Sequence, residues 1–126
     1  MADRPIERGH IFWFDSGDGI GDEEQGKHPW IVVSTPLHHR KAKLVLAVPC
    51  TSKDVEYPFC VSIPEGSIRR WPNVSKPLSL NRPSRVVKAS KLRHFSVDRI
   101  KEIVGVVENP DVLVAIEAEI RAALGT

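Results

Sequence analysis

Arg8-Gly9-His10-Ile11-Phe12-Trp13-Phe14-Asp15 opens a stretch that runs through an acidic, glycine-rich connection into Glu24-Gln25-Gly26-Lys27-His28-Pro29-Trp30-Ile31-Val32-Val33-Ser34. Two aromatic or β-branched runs bracket a segment of Gly and Asp, which is the pattern of two strands joined by an exposed loop. Residues 10 to 14 read as the first strand and Pro29 to Ser34 as the second, with the proline at the strand start, where a missing amide is tolerated. A connection of this kind is where a small β protein carries its chemistry.

Outward from that hairpin, Thr35 to Lys43, with Pro36, His38-His39 and three basic residues, reads as a loop. Leu44 to Cys50 is a nearly continuous apolar run, as expected of a strand buried on both faces, and it ends in the polar turn Thr51-Ser52-Lys53-Asp54. Phe59 to Ile63 makes a fourth strand. Between Pro64 and Pro83 prolines and Gly66 interrupt every period, leaving only a short strand around Pro77 to Leu80. Arg85 to Ser90 is a further strand, Leu92 to Phe95 continues or bends it, and Ser96 caps a single turn through Ile100. Ile103 to Val107 is again β-branched. The one long helix begins at Asn109 as cap with Pro110 in the first helical position. Val112, Ile116, Ile120 and Leu124 recur every fourth residue, and Gly125 stops it. Many short strands, one terminal helix and Pro/Gly punctuation describe a small, strongly bent sheet that closes partly on itself.

A chain of 126 residues with 41% hydrophobic composition is long enough for one core, so a single domain over residues 1–126 is expected. No apolar run reaches the length of a membrane span and Met1-Ala2-Asp3-Arg4 lacks a signal peptide's apolar segment, which leads to the expectation of a soluble, cytoplasmic protein. Cys50 and Cys60 are not spaced as a redox or zinc motif and are expected to be reduced, half-buried thiols. Charge is distributed unevenly: from Arg69 to Lys101 ten basic residues face Asp98 alone, a net of +9, whereas Asp15 to Glu24 holds five acids and no base. That asymmetry suits a polyanionic partner for the basic part, or two solvated faces.

Gly17-Asp18-Gly19-Ile20-Gly21 lacks the spacing of a dinucleotide loop and no helix follows it, and Gly17 and Ile20 fall where a calcium loop needs ligands. His38 and His39 are adjacent and read as a surface pair, so neither a metal nor a cofactor is expected. His28 stands at a strand entrance, where a neutral imidazole can take a proton. Thr51 ends a buried strand that could lie beside it, and its hydroxyl could orient a phosphate. Lys27, Lys88, Lys91 and Arg93 could neutralise that phosphate. Trp13, Trp30, Phe14 and Phe95 are either stacking surfaces for unpaired bases or core. Cleavage of RNA by its own 2′-hydroxyl needs such parts: a base, an acid for the leaving oxygen, and cations around the phosphorane.

Arg8-Gly9-x-Ile11-x-Trp13, then Gly21-x-x-Glu24-Gln25-Gly26 and Pro29 before an apolar strand ending in Ser34, resembles the opening hairpin of the MazF/PemK toxins of bacterial toxin-antitoxin systems. In many members another residue stands between the positions of Gln25 and Gly26. Val48-Pro49-Cys50-Thr51-Ser52 is similar to the family's third-strand end, whose threonine belongs to the catalytic site, and Pro83 to Val87, Leu92 to Phe95 and the final helix follow in the same order. The resemblance implies an SH3-like, partly open β-barrel of the CcdB/PemK/MazF type with a C-terminal helix. It also implies a homodimer, a cognate antitoxin, and a metal-independent endoribonuclease that cuts single-stranded RNA (mRNA) to 2′,3′-cyclic phosphate and 5′-hydroxyl ends. On that basis His28, Thr51 and Lys27 are the expected catalytic residues, and Glu24, Gln25, Ser52, Lys88, Ser90, Lys91 and Arg93 the expected RNA contacts. Family members usually carry arginine immediately before the proline, where this chain has His28, and Lys88 and Ser90 align with a usual arginine and acid. The alternative is a non-catalytic module of the same fold that grips nucleic acid, DNA included, or a protein target such as DNA gyrase.

Overall fold

The computed structural model describes residues 6–18, 26–51, 58–78 and 85–125. Eight strands form one antiparallel sheet: β1 (His10–Asp15), β2 (Lys27–Val32), β3 (Leu44–Thr51), β4 (Cys60–Ile63), β5 (Ile68–Arg70), β6 (Arg85–Lys88), β7 (Arg93–Ser96) and β8 (Gly105–Val107). Their spatial order is β4-β6-β3-β2-β1-β8-β5, with β7 also paired to β3. The sheet curls into a half-barrel because β3 is long enough to hold two neighbours on one side. Its first half pairs with β7 from Leu44 to Ala47, and its end pairs with β6 at Cys50 and Thr51. Pro49, which has no amide to donate, falls between those two neighbours.

The central strands are buried on both faces. Ile11, Ile31, Val48, Cys50 and Val87 turn to one side, where Val112 and Ile116 of α2 (Pro110–Leu124) pack on them. Phe12, Trp30, Val32, Val45, Ala47 and Phe95 turn to the other, with Phe95 meeting Phe12, Phe14 and Trp30 edge to face. Helix α2 starts as its sequence requires: the Asn109 side chain accepts the Asp111 amide, Pro110 follows, and Gly125 adopts the left-handed cap. Arg121 pairs with Glu117 at 2.8 Å one turn away, and Arg8 reaches the same carboxylate at 2.8 Å.

Three expectations need correction. Thr35 to Lys43 is not a loop: α1 (Pro36–Ala42) forms there, with the Thr35 hydroxyl accepting the His38 amide and Lys43 closing the helix in the left-handed conformation. The signal was the same cap-then-proline pair that marks α2, masked by a helix of only two turns. His38 and His39 are accordingly not a surface pair, since the helix turns His39 inwards to 7% exposure. Nor is there a strand at Pro77 and Leu78. Leu78 is instead buried in the core while Ile68–Arg70 supplies the edge strand β5, and residues 79 and 80 lie outside the described residues. Ser96 caps a 3₁₀ turn over Val97–Arg99, as expected, and a second such turn, Ala89–Lys91, joins β6 to β7. Both thiols are free, Cys50 buried and Cys60 half-buried. Among the described residues no helix is long and apolar enough to cross a membrane.

Candidate functional site

Register decides which side chains share a surface, because directly opposed residues in an antiparallel ladder point to one face and successive residues alternate. Trp30 lies opposite Pro49, Ile31 opposite Val48 and Val32 opposite Ala47. Continued two steps toward the start of β2 and the end of β3, that register sets His28 across from Thr51. Phe14 of β1 stands opposite His28 on its other side. Beyond β3, Arg93 pairs with Ala47 and Val86 with Thr51, so Lys88, two residues along β6 from Val86, shares their face. One surface of the sheet therefore gathers Phe14, His28, Thr51, Lys88 and Arg93 from five different strands.

The five differ in how firmly they are held. Thr51 is 6% exposed, which holds its hydroxyl in the wall of the sheet. His28 and Lys88 are half-buried. Arg93 is exposed, yet its guanidinium carbon lies 5.1 Å from the Phe14 ring centre and 4.8 Å from that of Phe95. Stacking on two rings aims the cation while leaving its N–H groups open to solvent. A hydroxyl, an imidazole and two cations on one surface can hold a phosphate and move a proton beside it.

Of the other expected residues, Lys27 is exposed and, by alternation, lies on the opposite face, where Asp15 is its partner across the β1–β2 ladder. Ser90 is exposed and Lys91 half-buried on the 3₁₀ turn that follows Lys88. Glu24, Gln25 and Ser52 lie outside the described residues, as does the acidic loop from residue 19 to 25. The arginine-on-phenylalanine contact was not readable from sequence, since residues 14 and 93 meet only through the pairing of β1, β2, β3 and β7. Among the described residues no three His, Cys, Asp or Glu side chains converge as metal ligands.

Two further histidines serve the framework. His39 Nδ1 lies 2.8 Å from the Ile6 carbonyl and its Nε2 lies 2.7 Å from the Ser34 hydroxyl, which also accepts the Leu46 amide at 2.9 Å. A carbonyl only accepts, so Nδ1 carries the proton and Ser34 donates to Nε2. His10 Nδ1 accepts the Glu7 amide at 3.0 Å. Burial pushes the pKa of both rings below the usual histidine value.

A sequence profile described as "PemK-like, MazF-like toxin of type II toxin-antitoxin system" matches residues 7–124, nearly the whole chain. The chain belongs to that family. Among individual relatives of the PemK/MazF-like toxins, the "Endoribonuclease toxin MazF" of Escherichia coli (strain K12) is 34% identical over 53 residues, 42% of this chain and 48% of that protein. The match thus spans about half the length of that curated relative. Among solved structures, MazF (Form-I) from Deinococcus radiodurans superposes with a TM-score of 0.74 at 25% identity, covering 98% of this chain and all of that one (100%). The MazE-MazF (Form-II) structure from the same organism gives a TM-score of 0.68 at 26% identity, covering 98% and 99%. The curled antiparallel sheet with its C-terminal helix is therefore the MazF fold, as the resemblance implied.

Proposed function

We propose that this PemK/MazF-like toxin is a metal-independent endoribonuclease that cuts single-stranded RNA at a short sequence. His28 is the general acid or base, Thr51 orients the scissile phosphate, and Arg93 and Lys88 stabilise the charge that builds on its oxygens. In the reaction the 2′-oxygen bonds to phosphorus as its proton passes to a base. The P–O5′ bond then breaks, and the 5′-oxygen leaves with a proton from an acid. The products are a 2′,3′-cyclic phosphate and a 5′-hydroxyl, with water not consumed. Glu24, Gln25, Ser52, Ser90 and Lys91 are assigned to RNA contacts around that centre, Lys27 supplies positive charge from the neighbouring face, and a cognate antitoxin covers the groove. A homodimer working in the cytoplasm completes the reading.

The observation that carries it is the register that sets His28 beside Thr51 on adjacent strands, with Arg93 stacked on Phe14 over the same surface. An imidazole transfers protons well but does not grip phosphate in the bidentate manner of arginine, so the grip falls to Arg93 and Lys88. The test is incubation of purified protein with a mixed RNA pool in the presence of a chelator, followed by mapping of the cut ends. Cyclic phosphate ends, lost in His28→Ala and Thr51→Ala proteins that remain folded, support the assignment. Intact RNA, or cleavage that requires a divalent ion, overturns it, and retained nucleic-acid binding without cleavage favours the non-catalytic module.

A further inference from the structure

On the face of the sheet opposite His28 and Thr51, a second group of charges collects around Trp13. The indole Nε1–H of Trp13 donates to the Lys76 carbonyl at 2.7 Å, which pins the segment between β5 and β6 against β1. The Lys76 ammonium then sits 5.5 Å from the centre of the Trp13 ring. Lys27, next to His28 but on this other face, comes within side-chain hydrogen-bonding contact of Lys76. Two ammonium groups have six N–H donors between them and no acceptor. Held together by the chain, they repel, and the Lys76 ammonium accordingly loses its proton more readily than an ordinary lysine, chiefly because of Lys27. Asp15, opposite Lys27 on β1, offsets part of that repulsion. Among these three described side chains one positive charge is left over, the charge of one phosphodiester.

We propose that Lys27 and Lys76 form a phosphate clamp for single-stranded RNA beside Trp13, on the far side of the β1–β2 hairpin from the cleavage centre. The clamp rests on the reading of this chain as an RNA-binding toxin and adds where the strand goes: around the hairpin, with one phosphate held behind it while another lies before His28. An oxygen-rich monoanion accepts from both ammonium groups at once and turns their repulsion into shared attraction. Trp13, half-buried and already lined by a cation, gives an adjacent nucleotide an apolar edge.

Fluorescence anisotropy with a labelled oligodeoxynucleotide, which lacks the 2′-hydroxyl and survives cleavage, reads the clamp directly. Lys76→Gln removes an exposed charge without touching the core. It should weaken binding several-fold at low salt and lower the slope of log K against log salt by about 0.7, the share of one phosphate contact on a single strand. Lys27→Gln combined with Lys76→Gln should cost less than the two single changes added, because either lysine alone is relieved of its neighbour. Lys41→Gln, an equal charge removed from α1, controls for overall charge. If it weakens binding as much as Lys76→Gln, or if Lys76→Gln leaves affinity and salt slope unchanged in a protein that cuts RNA, the clamp falls and the nuclease stands. Binding through the lysine pair without cleavage keeps the clamp and removes the nuclease. Failure of the unaltered protein to bind the strand removes both, and loss only of polyglutamate binding in Lys76→Gln marks a carboxylate dock instead.

Discussion

Acid should loosen the N-terminal segment through His10 and His39, and the size of the effect follows from their tautomers. His10 Nδ1 must stay unprotonated to accept the Glu7 amide, and His39 Nε2 must stay unprotonated to accept from Ser34. Desolvation is the main cause of the lowered pKa of each. For His10, Glu7 pulls the other way with its carboxylate 3.6 Å from Nε2, and His39 adds to the lowering. For His39, the Ile6 carbonyl pulls upward and His38 adds to the lowering. The unfolded chain titrates near 6.5, so below that pH it binds more protons than the folded one. Stability is therefore complete above pH 6.5 and is lost as pH falls from there toward the lowered folded values. Each ring contributes a slope of at most about 1.4 kcal/mol per pH unit, and the pair at most about 3. Against a total of roughly 5–15 kcal/mol for a domain this is a large share. Urea unfolding followed by tryptophan fluorescence at pH 7.5, 6.5 and 5.5 would measure it. His39→Gln should lower stability at neutral pH yet flatten the acid slope, and His10→Asn with it should flatten the slope further. A stability that does not change between pH 7.5 and 5.5, or an acid slope that survives both substitutions, would refute the reasoning.

Three other outcomes can be checked. Gly105→Ala should cost about 1–3 kcal/mol in urea unfolding, as overpacking does: a Cβ there would meet the Arg69 carbonyl oxygen at 2.9 Å and Leu78 Cδ1 at 3.1 Å, and the backbone of β5 cannot step aside. An unchanged midpoint would show that β5 is loosely held. Thr35→Ala should cost about 1 kcal/mol by removing the cap of α1, with the loss visible as faster amide exchange at His39 and Lys43, whose N–H groups bond within that helix. Arg93→Ala should slow RNA cleavage about a hundredfold, as loss of one transition-state donor does. Arg93→Lys should restore only part of that rate, because lysine keeps the charge but not the planar stack on Phe14 and Phe95. Equal rates for both variants would remove Arg93 from the reaction.

What the sequence yielded and what it withheld divide along one physical line. Strands β1, β2 and β3 and helix α2 announce themselves because their apolar periods are long and their caps and turns stand beside them. Helix α1 carries the same cap and proline but has only seven residues, too few for a period to show, and three of them are basic. Strand β5 has three residues, and its partner β8 lies more than thirty positions away, so nothing local marks it. The site follows the same rule. His28 and Thr51 could be picked out by residue type at strand ends, but whether they share a surface is a question of register, and a slip of one residue would have sent one of them to the other face. The three printed pairs between β2 and β3 resolve that parity, and the same parity separates Lys27 from its sequence neighbour His28. Two adjacent residues that composition places in one basic, polar cluster thus serve opposite faces. A test that substitutes them singly, reading cleavage for His28 and salt-dependent binding for Lys27, measures the alternation itself: if both changes move the same quantity by the same factor, the two side chains share a surface and the register is other than described.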